Sequence, residues 1–277
     1  MAEKKVCLTI AGLDPSGGAG IIADIKTFSA FGCFAAAAIS SLTFQNTTGV
    51  FGAEHQTGET VRKQVAAVMD DFEIAAVKTG MLPTREVIEA VADTIRERKA
   101  GNIVVDPVVR STSGFDLIDD KALGALIELL FPLSLVVTPN TQEAERISGM
   151  VIHSPEHIAE AAKVILSMGP RSVLMKGGHF IDGQKATDYL FFADGTSCKF
   201  EADLIDSNAT HGTGCTLAAA ITANLALGKE LSEAVAIAKN FVTEAIRTAP
   251  KLGRGHSPIN IPRVAAAFGQ QTGKLAE

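Results

Sequence analysis

Residues 4–32 read KKVCLTIAGLDPSGGAGIIADIKTFSAFG. The opening KKVCLTIAG is an apolar run with none of the polar alternation expected of a sheet that faces water on one side. The closing GIIADIKTFSAFG carries its apolar residues at helical spacing. A glycine-rich turn joins the two, so the stretch predicts a strand, a tight turn and a helix.

The same order repeats outward along the chain. CFAAAAISSLTF, EIAAVKTG, NIVVDPVV, SLVVTPN and SVLMKGG read as strands, and ETVRKQVAAVMDDF, TREVIEAVADTIRERK and SPEHIAEAAKVILSMG read as helices between them. Strands this apolar need cover on both faces, which predicts an α/β fold with a doubly wound, mostly parallel central sheet flanked by helices. YLFFADGTSCKF, from Tyr189 to Phe200, places Asp194-Gly195 between two short apolar runs and predicts a small antiparallel edge hairpin. Two helices, GTGCTLAAAITANLALG and LSEAVAIAKNFVTEAIRTA, follow. No linker-like stretch or internal repeat interrupts the pattern, so residues 1–277 read as a single domain.

A chain of 277 residues, 47% apolar, has enough material for a substantial core. Its net charge of −6 includes no basic block, which argues against nucleic-acid or membrane partners. The start has no apolar run of signal-peptide length, and none elsewhere approaches membrane-spanning length, so a cytoplasmic location is expected. Cys7, Cys33, Cys198 and Cys215 are widely separated and form no CxxC pair, so they read as reduced thiols.

Ligands of open α/β sheets bind beyond the carboxyl ends of the strands. The turn from Gly12 to Gly20 lies at such an end, but it lacks the GxGxxG spacing and the GK[ST] of a P-loop. The more informative stretch is Asn208-Ala209-Thr210-His211-Gly212-Thr213-Gly214-Cys215-Thr216. Gly212 and Gly214 flank Thr213 where a helix begins, and free amides there can hold a transferring phosphoryl group. Cys215 falls in the first turn, where the helix field is expected to lower its pKa from about 8.5 and let it accept a proton from an attacking hydroxyl. The alternative is a small buried hydrophobe, as free cysteines often are. Asp106 and Glu143 each follow a buried strand and are candidate Mg²⁺ ligands, directly or through water. Glu143 also fits the first turn of a helix. Lys176 closes SVLMK with glycines behind it, where it can reach phosphate oxygens or simply be exposed.

AGLDPSGGAGIIADIKTF, LTFQNTTGV, VKTGML, VVDPVV, STSG, TPNTQEAE, VLMKGGH and NATHGTGCTLAAAI follow one another along most of the chain. In these segments the sequence resembles the ribokinase-like superfamily, and within it the hydroxymethylpyrimidine/phosphomethylpyrimidine kinases of thiamine biosynthesis. The resemblance implies a ribokinase-like fold, ATP and Mg²⁺, a small-molecule aminopyrimidine substrate and a homodimer. It implies that Cys215 replaces the aspartate base of the GAGD motif in related sugar kinases. Gln45 and Asp24 would contact the aminopyrimidine, with Gly12 and Met81 at its edges. Lys176, Thr213, Asn140 and Lys239 would face ATP. Two departures from the usual family pattern stand out: Arg110 after DPVV, and the DLIDSNAT segment that leads through Asn208 and Thr210 to the nest.

The implied activity is two successive phosphorylations at one site, of the hydroxymethylpyrimidine and then of its monophosphate. A pyridoxine or pyridoxal kinase is the alternative, and a non-catalytic pyrimidine-binding sensor the remote one. Glycine-containing segments such as Ser111 to Gly114 are candidates for a loop that closes over the substrate.

Overall fold

In the computed structural model, residues 4–110, 114, 116–177 and 185–261 are described. Residues 111–113 of the candidate closing segment, and Gly178 and His179 behind Lys176, lie outside them. The elements run β1 (Val6–Leu13), α1 (Gly20–Ala30), β2 (Phe34–Asn46), β3 (Gly49–His55), α2 (Gly58–Asp71), β4 (Ile74–Thr79), α3 (Arg85–Glu97) and β5 (Ile103–Val105). They continue with α4 (Asp120–Ala125), β6 (Val136–Val137), α5 (Thr141–Ser148), α6 (Pro155–Leu166), β7 (Ser172–Lys176), β8 (Lys185–Phe192), β9 (Ser197–Asp203), α7 (Thr213–Ala226) and α8 (Leu231–Arg247).

The strands form one sheet in the order β3-β2-β1-β4-β5-β6-β7-β8-β9. The six inner strands from β2 to β7 pair in parallel. Alternate residues of each strand serve opposite faces. Leu8, Ile10, Val77, Ile103, Val105, Val137 and Val173 pack with α2, α3, α5 and α6. Val104, Val136 and Leu174 turn the other way, toward α7 and α8, and Cys7 and Ala76 join Phe28 of α1 there. Cover on both faces is why the strands read as unbroken apolar runs. Side chains cap the helix starts, with Thr57, Thr84, Asp119 and Ser154 each accepting from an amide three residues on.

The predicted hairpin is β8–β9, antiparallel, with Gly195 at φ 88° in its turn. A second antiparallel edge was not predicted. β3 folds back on β2 and carries two glycines and few β-branched residues, so propensity gives little warning of it. The short α4 also lacked a clear pattern and runs on through a π turn at Leu126–Leu130, whereas α5 was foreseen only through Glu143 in its first turn.

β1 has β2 on one side and β4 on the other, so the chain reverses its direction across the sheet beside β1, and the crevice beyond these strands is the expected ligand position. The turn after β1 and the turn before α7 meet there. Gly212 caps α7 with φ 80°, and a Cβ on it would press into the carbonyl oxygen of Gly18. Gly212→Ala combines left-handed strain with this clash. It is expected to lower stability by about 1–3 kcal/mol in urea denaturation followed by circular dichroism.

Candidate active site

A cavity of about 1310 Å³ opens at the carboxyl ends of the strands. Crossing the sheet from β2 toward β8, its wall includes Gln45, Gly12, Met81, Asp106, Asn140 and Lys176. Lys239 of α8 lies against it from the far side, and Gly212, Thr213, Gly214 and Cys215 form the start of α7 within it. Glu143 also lines it. The structure therefore gathers twelve of the thirteen residues singled out by sequence into one cavity. The exception is Asp24.

Asp24 does not line the cavity, and its side chain is fully buried. It accepts from Lys78 Nζ at 3.0 Å and 2.8 Å, one bond to each oxygen, and from the Thr9 hydroxyl at 2.6 Å. The expected contact between Asp24 and an aminopyrimidine is thus corrected: Asp24 lies off the cavity wall, fully buried, and pairs with Lys78 and Thr9. A buried carboxylate needs a partner, and here the partner is a buried lysine.

At the β1–β2 side, Asp14 accepts from the Ser16 amide and hydroxyl, the Ala19 amide and His211 Nε2, the last at 2.7 Å. Burial pushes the Asp14 carboxyl up, but the bonds from His211 and Ser16 outweigh it and hold the group below the usual range. His211 Nε2 therefore carries the proton, and Gln45 Nε2 lies 3.4 Å from it. Two N–H groups cannot bond each other. With the opposite assignment the Gln45 NH₂ donates to the Thr43 hydroxyl, which donates to the Leu13 carbonyl, and the amide oxygen turns toward His211, whose single Nε2 hydrogen Asp14 already takes.

In the middle, Lys176 Nζ lies 3.0 Å from Asp106 Oδ1 and 3.7 Å from Glu143 Oε2. Thr138 donates to the same Asp106 oxygen at 3.0 Å. Burial works against the Lys176 ammonium, yet Asp106 and Glu143 keep its pKa above the ordinary lysine value. Burial also pushes Asp106 up, but Lys176 and Lys78 outweigh it and lower the group. Glu143 is pushed up to about 7 by burial, against the pull of Lys176. Its carboxylate also closes a capping box with Asn140 at the start of α5, so the helix-turn reading of Glu143 holds alongside its place in the cavity.

Lys176 Nζ lies 3.4 Å from where a Cβ on Gly214 would sit, which puts the ammonium beside the first turn of α7. No acceptor among the described residues takes the Gly214 or Cys215 amide, leaving both for an anion. The thiol differs from expectation. Cys215 is pushed up to about 11 by burial, with Lys78 and the Gly20 amide pulling the other way. Desolvation in this cleft exceeds the helix field that was expected to lower it.

Lys239 is held by Asp188 at 2.7 Å, and the other oxygen of Asp188 accepts from the Gly177 amide at 3.2 Å. Arg110, at the rim, pairs with Asp116. Asn208 lies outside the cavity wall, whereas Thr210 is part of it. Asp14, His211, Lys78 and Asp188 were not assigned roles from sequence. Lys78 did carry a signal, because a charged residue in an apolar strand covered on both faces requires a buried partner.

A mostly parallel sheet with this cavity, a lysine beside glycines and a helix start aimed at an anion define a ribokinase-like small-molecule kinase fold, and similarity to solved structures agrees. The chain resembles the pyridoxal kinase from Staphylococcus aureus in complex with AMP-PCP and pyridoxal, with a TM-score of 0.85 and 34% identity over 94% of each chain. The family profile described as phosphomethylpyrimidine kinase matches residues 14–260, and the chain belongs to that family. It is 42% identical to the hydroxymethylpyrimidine/phosphomethylpyrimidine kinase of Haemophilus influenzae over 94% of this chain and 97% of that one. It is 46% identical to the thiamine biosynthesis bifunctional protein ThiED of Geobacter sulfurreducens over 91% of this chain, which spans about half of that longer protein (51%).

The buried thiol has a direct consequence. Alkylation of Cys215 by iodoacetamide, followed by mass spectrometry of its peptide, is expected to accelerate about tenfold per pH unit from pH 7 to pH 10. An ordinary thiol would level off near pH 9, and such levelling would contradict the burial argument.

Proposed function

We propose that this protein transfers the γ-phosphoryl group of ATP to the hydroxymethyl of 4-amino-5-hydroxymethyl-2-methylpyrimidine, and then a second one to the monophosphate, in thiamine biosynthesis. In a chain of this family, one observation carries the reading: Cys215, the Lys176 ammonium and the free amides of Gly214 and Cys215 meet in a single cavity. It acts as a single domain, cytoplasmic and homodimeric. No helix among the described residues is long and apolar enough to cross a membrane.

Gln45, Gly12 and Met81 bind the pyrimidine. Lys176, Thr213 and Asn140 face the nucleotide phosphates. Lys239 supports that end through Asp188, which fastens the Gly177 backbone behind Lys176. Among the described residues no group of three or more His, Cys, Asp or Glu is arranged to hold a metal ion. Asp106 and Glu143 nevertheless suit Mg²⁺, which takes one or two carboxylates and completes its shell with water and phosphate oxygens. Held there, the ion would neutralise charge on the phosphates during transfer.

In the first reaction the hydroxymethyl oxygen attacks the γ-phosphorus in line, the bond to the β–γ bridging oxygen breaks, and ADP leaves. The hydroxyl proton passes to the Cys215 thiolate. Lys176 and the α7 amides stabilise the negative charge on the moving group. The second reaction differs in one respect. Its acceptor is a phosphate oxygen that is already ionised at neutral pH, since the second pKa of a phosphate monoester is about 6, so no base is needed.

Cys215→Ala is therefore expected to slow phosphorylation of the alcohol about 10²–10⁴-fold, to slow that of the monophosphate far less, and to leave the KM for ATP near wild type. Product-resolved steady-state kinetics test this; an alcohol rate near wild type would refute the base assignment.

A second reading, pyridoxal kinase, is supported by the similarity to the S. aureus enzyme. Incubating the protein with Mg-ATP and, separately, hydroxymethylpyrimidine, its monophosphate and pyridoxal, then identifying products by mass spectrometry, distinguishes the two. Mono- and diphosphates of the pyrimidine are expected. Pyridoxal phosphate alone would favour the second reading, and ATP left intact in every incubation would favour a sensor.

A further inference from the structure

Lys78 sits near the end of β4, opposite Thr9 of β1 and Val104 of β5, in the middle of the parallel sheet. Its side chain is fully buried, yet it contributes to the wall of the cavity. Two acceptors take its ammonium among the described residues, and both are oxygens of Asp24. An ammonium has three N–H groups, so one remains for a further partner. Gly80, two residues on, leaves space at that point: a Cβ there would lie 3.0 Å from Lys78 Nζ.

The packing of β4 on α7 links this pair to the cysteine. Ala76, two residues before Lys78 on the same face of β4, clusters with Ala219, one turn beyond Cys215 on α7. Lys78 and Cys215 both reach the cavity wall, and Asp24 grips Lys78 from α1. The charges of Lys78 and Cys215 act on one another, and among the groups that bear on the sulfur Lys78 opposes burial most strongly. The other charged groups acting on the sulfur are Asp24 from α1, Asp106 from beyond β5 and Lys176 from β7. A thiol this deeply desolvated needs a cation to exist as thiolate, and its own helix terminus does not suffice.

We propose that Lys78 is the positioning residue that makes Cys215 competent as a base, its ammonium acting as the counter-ion of the Cys215 thiolate while Asp24 holds it in place and tempers its charge. The proposal rests on the reading of Cys215 as the base. When the substrate hydroxyl gives its proton to the sulfur, the thiolate becomes a neutral thiol and the Lys78–Asp24 pair keeps its own charges, so no further proton or co-reactant is involved.

The two members of the pair act on the sulfur with opposite sign, and a merely structural role would not reproduce that. In Lys78→Met the thiolate loses its counter-ion. The iodoacetamide rate at Cys215 in the ligand-free protein at pH 9 is expected to fall at least tenfold, and the pH profile of alcohol phosphorylation to move upward. In Asp24→Asn the ammonium keeps the thiolate as its nearest anion, so the rate at pH 8 is expected to rise at least tenfold and the profile to move downward. An unpaired buried charge can unfold a protein, so the double variant Asp24→Leu/Lys78→Met replaces both by apolar groups; such exchanges are frequently tolerated. It is expected to react as slowly as Lys78→Met.

Damage that merely opened the cleft would speed alkylation in all three variants and would overturn the proposal, as would an unchanged rate in the folded double variant. An alkylation shift without a matching shift in the phosphorylation profile would also overturn it. Failure of the base reading is separately visible, because Cys215→Ala would then keep its alcohol turnover whatever alkylation reports.

Discussion

Asp14 and His211 are 197 residues apart in sequence and 2.7 Å apart in space, and the cavity depends on that bond. The Asp14 carboxylate also gathers Ser16 and Ala19, so it shapes the turn after β1 while anchoring the loop before α7. Once these are joined, Gly18 and Gly212 approach more closely than any side chain would permit, and the α7 amides, Cys215 and Gln45 come to face the same space. A carboxylate bonded this fully stays ionised despite its burial, which makes the tie durable across the physiological pH range.

Two buried lysines divide the electrostatic work. Lys176 keeps its charge because Asp106 and Glu143 surround it, and it stands beside Gly214 where phosphate charge would move. Lys78 keeps its charge because of Asp24 and shares the cavity wall with Cys215. Between buried groups such charges interact far more strongly than at a surface, and they need no rearrangement when a reacting group arrives. The same burial raises the Cys215 thiol, so one environment strengthens the charges around the anion site and opposes ionisation of the sulfur. Lys78 offsets part of that burial without cancelling it.

The alternation of apolar runs with helical periodicity gave the parallel sheet, its helical layers and the β8–β9 hairpin, because strands buried on both faces and an Asp-Gly turn leave strong local marks. β3 left none, since pairing with the end of β2 rather than its own composition makes it a strand. Strand-end position placed Lys176, Asp106, Asn140 and Gln45 at the cavity, and the glycines around Thr213 marked the start of α7. Asp24 was misread because its helix position is compatible with facing either a ligand or a buried partner. Only packing against β1 and β4 decides between them.

The amino-acid sequence by itself determined the α/β class, the position of the cavity at the carboxyl ends of the strands, and the residue types able to hold phosphate and accept a proton, because these follow from periodicity and from chemistry local to each strand end. The tertiary structure alone decided which charges meet: Asp14 with His211, Lys78 with Asp24, Lys176 with Asp106, and Lys239 with Asp188. It also decided the state of the Cys215 thiol. Pairing and desolvation depend on distances between segments remote in sequence, and those distances exist only once the two faces of the sheet are covered.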